Sequence, residues 1–314
     1  MPANEPAINI RKFLGLHNRE RPVRLPDGAL TQAINVNVDN NGGIETRRGY
    51  VAIPGLTNIT AMYSPRNGEA LYVVSNGQLK RVVSLQPLVT DLMVSGISAN
   101  PVWWAEAGSI VFANGAFRGM LNGSVASPMP LPTALPSPKD DSEFDGLPGH
   151  SAALGQILAA QPSATDVICY HEGKLFAAEY DPSQDATAVW FSKPFNWGSF
   201  DLFEDFLMIP GRVLMMASAR ELVIGTDRAI WTYGQAMAQV AEYGVVPCQP
   251  VYVDSVAYFW SAEGLCKATP FENLTGAIYS VPPGDSAALT AVQSQGVDRI
   301  MVHVRGGGDA PNAY

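Results

Sequence analysis

Along most of this chain short apolar segments alternate with tight polar turns, and no long stretch of 3.6-residue periodicity separates them. Two units are clearest: Ala70–Ser75, turn Asn76-Gly77, Leu79–Val83; and Ser109–Ala113, turn Asn114-Gly115, Phe117–Leu121. Asn-Gly accepts the positive backbone angles of a two-residue hairpin turn, so both read as antiparallel hairpins. The same layout recurs at Glu221–Thr226, Asp227-Arg228, Ala229–Tyr233, and at Val256–Ser261, Ala262-Glu263-Gly264, Leu265–Thr269. A further apolar segment precedes each: Ile59–Tyr63, Val102–Ala105, Val213–Ala217 and Val251–Val253. Less regular hairpins fall at Lys174–Tyr180 with Ala188–Ser192, and at Ala287–Val292 with Arg299–Val304.

The unit therefore has at least three strands. Gly77 and Gly115 lie 38 residues apart, and Asp227 and Glu263 lie 36 apart. Strand repeats of about 40 residues predict the blades of a β-propeller, with a sandwich or barrel as the alternative. The expected fold is thus all-β, with about six blades of antiparallel strands over residues 51–314. Two regions break the pattern. Residues 1–50 read as an extended N-terminal arm, with a strand at Val36–Asp39, a turn, and a return strand at Ile44–Arg48. Residues 122–165 read as a proline-rich inter-blade insertion, because the closely spaced prolines of SPMPLPTALPSPKDD exclude helix interior and central strand. A short helix is expected at Ser151–Ala160, and Ile44–Ile53 is expected to complete the blade begun by Ala287–Val304, since closure removes open sheet edges.

Composition narrows the function. Charged residues make up only 16% of the chain, below the usual quarter, which favours a surface covered by partners and hence an assembly component. The net charge of −9 argues against gripping a phosphate backbone, but an acidic protein can line a duct through which DNA slides. Seven of the 20 basic residues, Arg11, Lys12, Arg19, Arg21, Arg24, Arg47 and Arg48, fall in the arm. With Leu14 they are the candidate contacts to an acidic neighbour. Cys169, Cys248 and Cys266 lack metal or redox spacing and read as buried thiols of a protein folded in a reducing cytoplasm. The start lacks an apolar core of signal-peptide length, and no run approaches the ~18 apolar residues of a membrane span.

Candidate chemistry is sparse. His17, His150, His171 and His303 have no partner at zinc-ligand spacing, so no metal and no cofactor is expected. Asp39–Glu45 faintly resembles a calcium loop, yet turn chemistry accounts for it. The pairs Asp140-Asp141 and Glu204-Asp205 supply the two carboxylates a glycosidase needs, but in polar loops where solvated charge is the norm. The chain is read as a non-enzyme. Trp103, Trp104, Trp190, Trp231 and Trp260 lie in predicted strands as core. Trp197, in the loop KPFNWGSFD, is left as the candidate glycan contact.

Several segments, taken in order, resemble the tail proteins of phages and prophages. They are Gly15-Leu16-His17-Asn18, Arg24–Leu30, Ala33–Asp39 and Gly43–Tyr50, followed by Tyr170–Ala178, Trp190–Phe195, Ile224–Arg228 and Gly264-Leu265-Cys266. The resemblance points to the β-propeller nozzle, or packaged-DNA stabilisation, proteins of short-tailed phages. It implies a virion structural protein made in the bacterial cytoplasm, a homo-oligomeric ring of six subunits docked on a tail adaptor or tube. Such a ring surrounds the DNA exit channel and retains or conducts the genome during ejection, without specific DNA binding or membrane contact. It carries over no catalytic residue. The alternatives are a receptor-binding propeller that recognises glycan and, behind it, a propeller hydrolase.

Overall fold

A computed structural model describes residues 12–17, 19, 24–30, 36–38, 43–46, 53–128 (except 67, 69, 99, 116 and 123–124), 162, 165–278 (except 203), 282–294 and 297–306. Apart from a 3₁₀ residue at Arg24, the regular elements among them are strands. The chain divides into two compact units, Ile53–Pro250 and a second one formed by Met1–Ala52 with Val251–Tyr314.

The unit Ile53–Pro250 and the second unit both contain the blade module of a β-propeller, a meander of four antiparallel strands. In the second unit β1 (Gly15–Leu16) pairs in parallel with β2 (Ala29–Leu30), and β3 (Val36–Val38) pairs antiparallel with β4 (Ile44–Thr46). Four blades make up Ile53–Pro250. The first runs β5 (Ile59–Tyr63), β6 (Leu71–Ser75), β7 (Gln78–Leu85), β8 (Leu88–Ser95). The second runs β9 (Trp103–Ala107), β10 (Ser109–Asn114), β11 (Phe117–Asn122), β12 (Val125–Pro128). The third has β13 (Val167–His171), β14 (Lys174–Asp181) and β15 (Ala186–Lys193), with both β16 (Asn196–Phe200) and β17 (Phe206–Pro210) on β15; a register shift at Ser192/Lys193 divides that strand between its two partners. The fourth runs β18 (Val213–Ser218), β19 (Leu222–Thr226), β20 (Ile230–Tyr233), β21 (Met237–Ala241). A fifth blade lies in the second unit: β22 (Val251–Val253), β23 (Val256–Ser261), β24 (Gly264–Lys267), β25 (Glu272–Asn273). The hairpin β26 (Ser286–Ser294), β27 (Val297–Arg305) follows.

Five complete blades are therefore present among the described residues where about six were expected, and a two-stranded hairpin follows the fifth in the chain. Pairing described for β4 is with β3; residues 47–52, the rest of the segment expected to close that hairpin, lie outside the described residues, as does the helix expected at Ser151–Ala160. The irregular region is also shorter than the sequence indicated. Val125–Pro128 is not part of an insertion but the fourth strand of its blade, paired with Gly119–Asn122. Its proline is tolerated because β12 is an edge strand.

Strands bury both faces where they lie between blades. Trp103 and Trp104 are neighbours in β9 and must point to opposite sides of the sheet. Trp104 joins Tyr72, Val74, Leu79, Phe112 and Leu121 in one core, while Trp103 joins Val111, Phe176, Met216 and Ile224 in another. Tyr63 stacks on the Trp104 ring at 5.0 Å between centroids and 7° between planes. The side chain of Gln249 completes the edge of β9 as a short surrogate strand: its Oε1 accepts from the Trp104 N–H (3.4 Å) and its Nε2 donates to the Trp104 carbonyl (3.1 Å).

Candidate functional site

The arm is tied to its own chain. The Leu14 N–H donates to the Gly28 carbonyl (2.8 Å) and the His17 N–H to the Leu30 carbonyl (2.7 Å), beside the parallel pair β1–β2. Gly28 has φ +92 and a Cβ there would stand 2.1 Å from the Lys12 carbonyl oxygen, so the chain crossing requires glycine. Arg19 is ion-paired with Glu263 in the β23–β24 turn (2.5 Å), and thus serves an intramolecular contact. Lys12, Leu14 and Arg24 are exposed. Arg11, Arg21, Arg47 and Arg48 lie outside the described residues.

Trp197 is not in a loop. The turn is confined to Pro194-Phe195, and Trp197 is the second residue of β16, packed against the core shared by the second, third and fourth blades. Its ring stands edge-on to Tyr170 at 6.1 Å and lies against the Gly108 turn. The indole N–H of Trp197 is buried with no hydrogen-bond partner, as is that of Trp231; by contrast Trp190 donates to the Leu202 carbonyl and Trp260 to the Pro283 carbonyl, each at 3.2 Å. Phe195, two residues before Trp197, is the aromatic that faces water: it is 80% exposed, with φ +56. The sequence carried a signal for it, because proline at the second position of a type II turn puts the following residue at positive φ. Lys-Pro-Phe-Asn is therefore a turn with an aromatic tip. Phe195 N–H donates to the Gly173 carbonyl (2.8 Å), and its ring atoms would lie 3.1–3.5 Å from a Cβ at Gly173.

At the same end of the third blade, His171 is buried and its Nδ1 lies 3.0 Å from Ser218 Oγ on β18. Desolvation holds the imidazole below its ordinary pKa, with the charge of Glu172 a smaller opposing effect. Cys169, one turn of pleat away on β13, is fully buried, and its thiol is pushed up to about 12 by desolvation. A nucleophile needs a depressed pKa, so this is packing rather than chemistry. Of the Glu204-Asp205 pair, Asp205 bridges to Lys193 (2.5 Å), while Glu204 is exposed and its backbone N–H donates to Asp201 Oδ1 (3.2 Å). Asp140-Asp141 lie outside the described residues. No group of three metal-ligating side chains occurs among the described residues.

The opposite end of the third and fourth blades is a network of paired charge. Asp185 accepts from Arg228 and from the Tyr180 hydroxyl (2.9 Å), and these bonds hold its carboxyl below the usual range while raising the Tyr180 phenol. Asp227 accepts from the Arg212 N–H (2.9 Å) and flanks the Arg228 guanidinium at 3.5 Å. The Arg212 guanidinium lies over the Tyr180 ring at 5.7 Å. These contacts join the third and fourth blades.

The chain belongs by architecture to the all-β propellers. No family model and no curated protein matches it. Among solved structures it is similar to BamB from Moraxella catarrhalis (11% identity over 81% of this chain and 72% of that one, TM-score 0.40), to virginiamycin B lyase from Staphylococcus aureus (10%, 87% and 85%, TM-score 0.41) and to the WD40 β-propeller domain of Doa1 (8%, 78% and 87%, TM-score 0.33). Likeness at this level concerns fold alone.

Proposed function

We propose that this chain is a structural component of a phage tail, a nozzle or tail-tube ring subunit around the DNA exit channel. The observation that carries the proposal is the N-terminal arm, whose motifs are those that resemble phage tail proteins. The β1–β2 pair joins two parts of the arm to each other and Arg19–Glu263 links it to the β23–β24 turn, while Lys12, Leu14 and Arg24 are exposed. A segment that exposes basic and apolar side chains suits docking on an acidic adaptor or tube subunit. Genome retention would then reside in ring geometry, while a chain of net charge −9 lets DNA pass without adhering.

The test is sizing by light scattering of the purified chain, alone and mixed with the adaptor and tube proteins from the same tail. A large closed oligomer is expected, lost on deletion of residues 1–50. A chain that stays monomeric in both settings overturns the proposal.

A further inference from the structure

We propose that Phe195, held over Gly173 beside Glu172, is the stacking platform of a carbohydrate-binding subsite on the third blade. Phe195 is the most exposed large apolar side chain among the described residues. It also sits at φ +56, a conformation that a bulky residue adopts only under strain and that glycine or asparagine adopts freely. Both features weaken the fold, and the ring adds nothing to the blade core, which is filled two residues later by Trp197. A glycine would relieve both. A strained, exposed aromatic that folding does not require is what a binding role leaves behind.

The ring is also held in one orientation. Its N–H bond to the Gly173 carbonyl fixes the backbone, and the distal ring atoms rest on Gly173, where any side chain would collide. Gly173 has φ +82 and Glu172 φ +46, so the turn beneath the ring is itself shaped by two left-handed residues. The surroundings choose the ligand class. Exposed Glu172 precedes Gly173, while Pro194 and Asn196 flank Phe195 in sequence, so Phe195 is the one exposed aromatic of these two turns. A protein partner would need a contiguous apolar patch of several hundred Å². Lys174, which follows Gly173 and holds its Nζ over the Phe191 ring at 4.5 Å, weighs against a cationic ligand. A sugar ring fits: its C–H face lies on the phenyl ring and its hydroxyls donate to the Glu172 carboxylate.

Saturation-transfer NMR on the full chain tests this with methyl β-glucoside, methyl α-galactoside and N-acetylglucosamine at millimolar concentration, and with tetramethylammonium as a cationic probe. At least one saccharide is expected to take up saturation on one face of its ring. Phe195→Ala should weaken that binding about tenfold, Glu172→Gln about threefold, and Phe195→Trp should preserve it. The melting temperature of Phe195→Ala, unchanged from the parent, shows that the fold is intact. No saccharide response, a response equal in Phe195→Ala, or a response to tetramethylammonium alone overturns the proposal. Sizing of Phe195→Ala separates this subsite from the assembly reading, because the oligomer should be unaffected.

Discussion

Asn114 was legible as a turn residue and is not one. The register pairs it with Phe117, which leaves Asn114 as the last residue of β10, buried, with the turn beginning after it. There its Oδ1 accepts from the Ser98 N–H (3.1 Å) and hydroxyl (2.5 Å), and its Nδ2 donates to the carbonyls of Asn100 (2.6 Å) and Pro101 (3.3 Å). Replacing it with alanine strands buried donors and acceptors, so Asn114→Ala is expected to lower unfolding free energy by about 2–3 kcal/mol, measured by urea titration. His171 adds a pH dependence. Its folded pKa is depressed, so below about pH 6.5 the unfolded chain binds more protons than the folded one and stability must fall with acidity. The contribution is complete above the unfolded pKa and is lost as pH drops through and below it. In urea titrations between pH 7.5 and pH 5, His171→Asn should remove that component, whereas an unchanged slope would place the proton uptake elsewhere. Neither role was readable from the chain, because each depends on a partner brought in from another segment: Ser98 and Asn100 for one, Ser218 for the other.

At the scale of elements, the first three strands of a blade were readable and the fourth was not. Ile59–Tyr63 and Val251–Val253 coincide with β5 and β22, and Asn76-Gly77 carries the positive φ values (51 and 70) that a type I′ turn demands. Inner strands such as β19, buried along its whole length, read as unbroken apolar runs. Outer strands such as β8 are half solvated, and their mixed pattern of Leu88, Thr90, Asp91 and Leu92 gives neither a run nor a clean alternation. Trp197 was misplaced for the same reason, since the short outer strand β16 follows a proline turn that makes the whole segment look like loop. Two substitutions probe the element scale. Gly77→Ala forces a Cβ onto a left-handed residue 3.1 Å from the Ile97 carbonyl, and is expected to cost about 1–2 kcal/mol. Gly225→Ala in β19 would place a methyl 2.6–2.7 Å from Val245 and 3.1 Å from Met215, an overpacking cost of about 1–3 kcal/mol seen as a lower thermal midpoint.

For the molecule as a whole, repeat spacing and low charge gave the propeller class and the expectation of an assembly component, while blade number depended on residues 1–52, whose short strands carry no repeat. A net charge of −9 should leave double-stranded DNA unbound even at low ionic strength, where a mobility-shift assay would reveal any basic groove. The three buried thiols have a further consequence. Cys169 and Cys248 belong to the unit Ile53–Pro250, and Cys266 to the other. None can meet an alkylating reagent until its surroundings open, so each is a clock for local unfolding. Followed by mass spectrometry in increasing urea, labelling that proceeds at one common rate would mean the whole chain opens as a single cooperative body. Early labelling of Cys266 would mean that the unit carrying the arm and the fifth blade loosens first, while the four blades of Ile53–Pro250 stay closed.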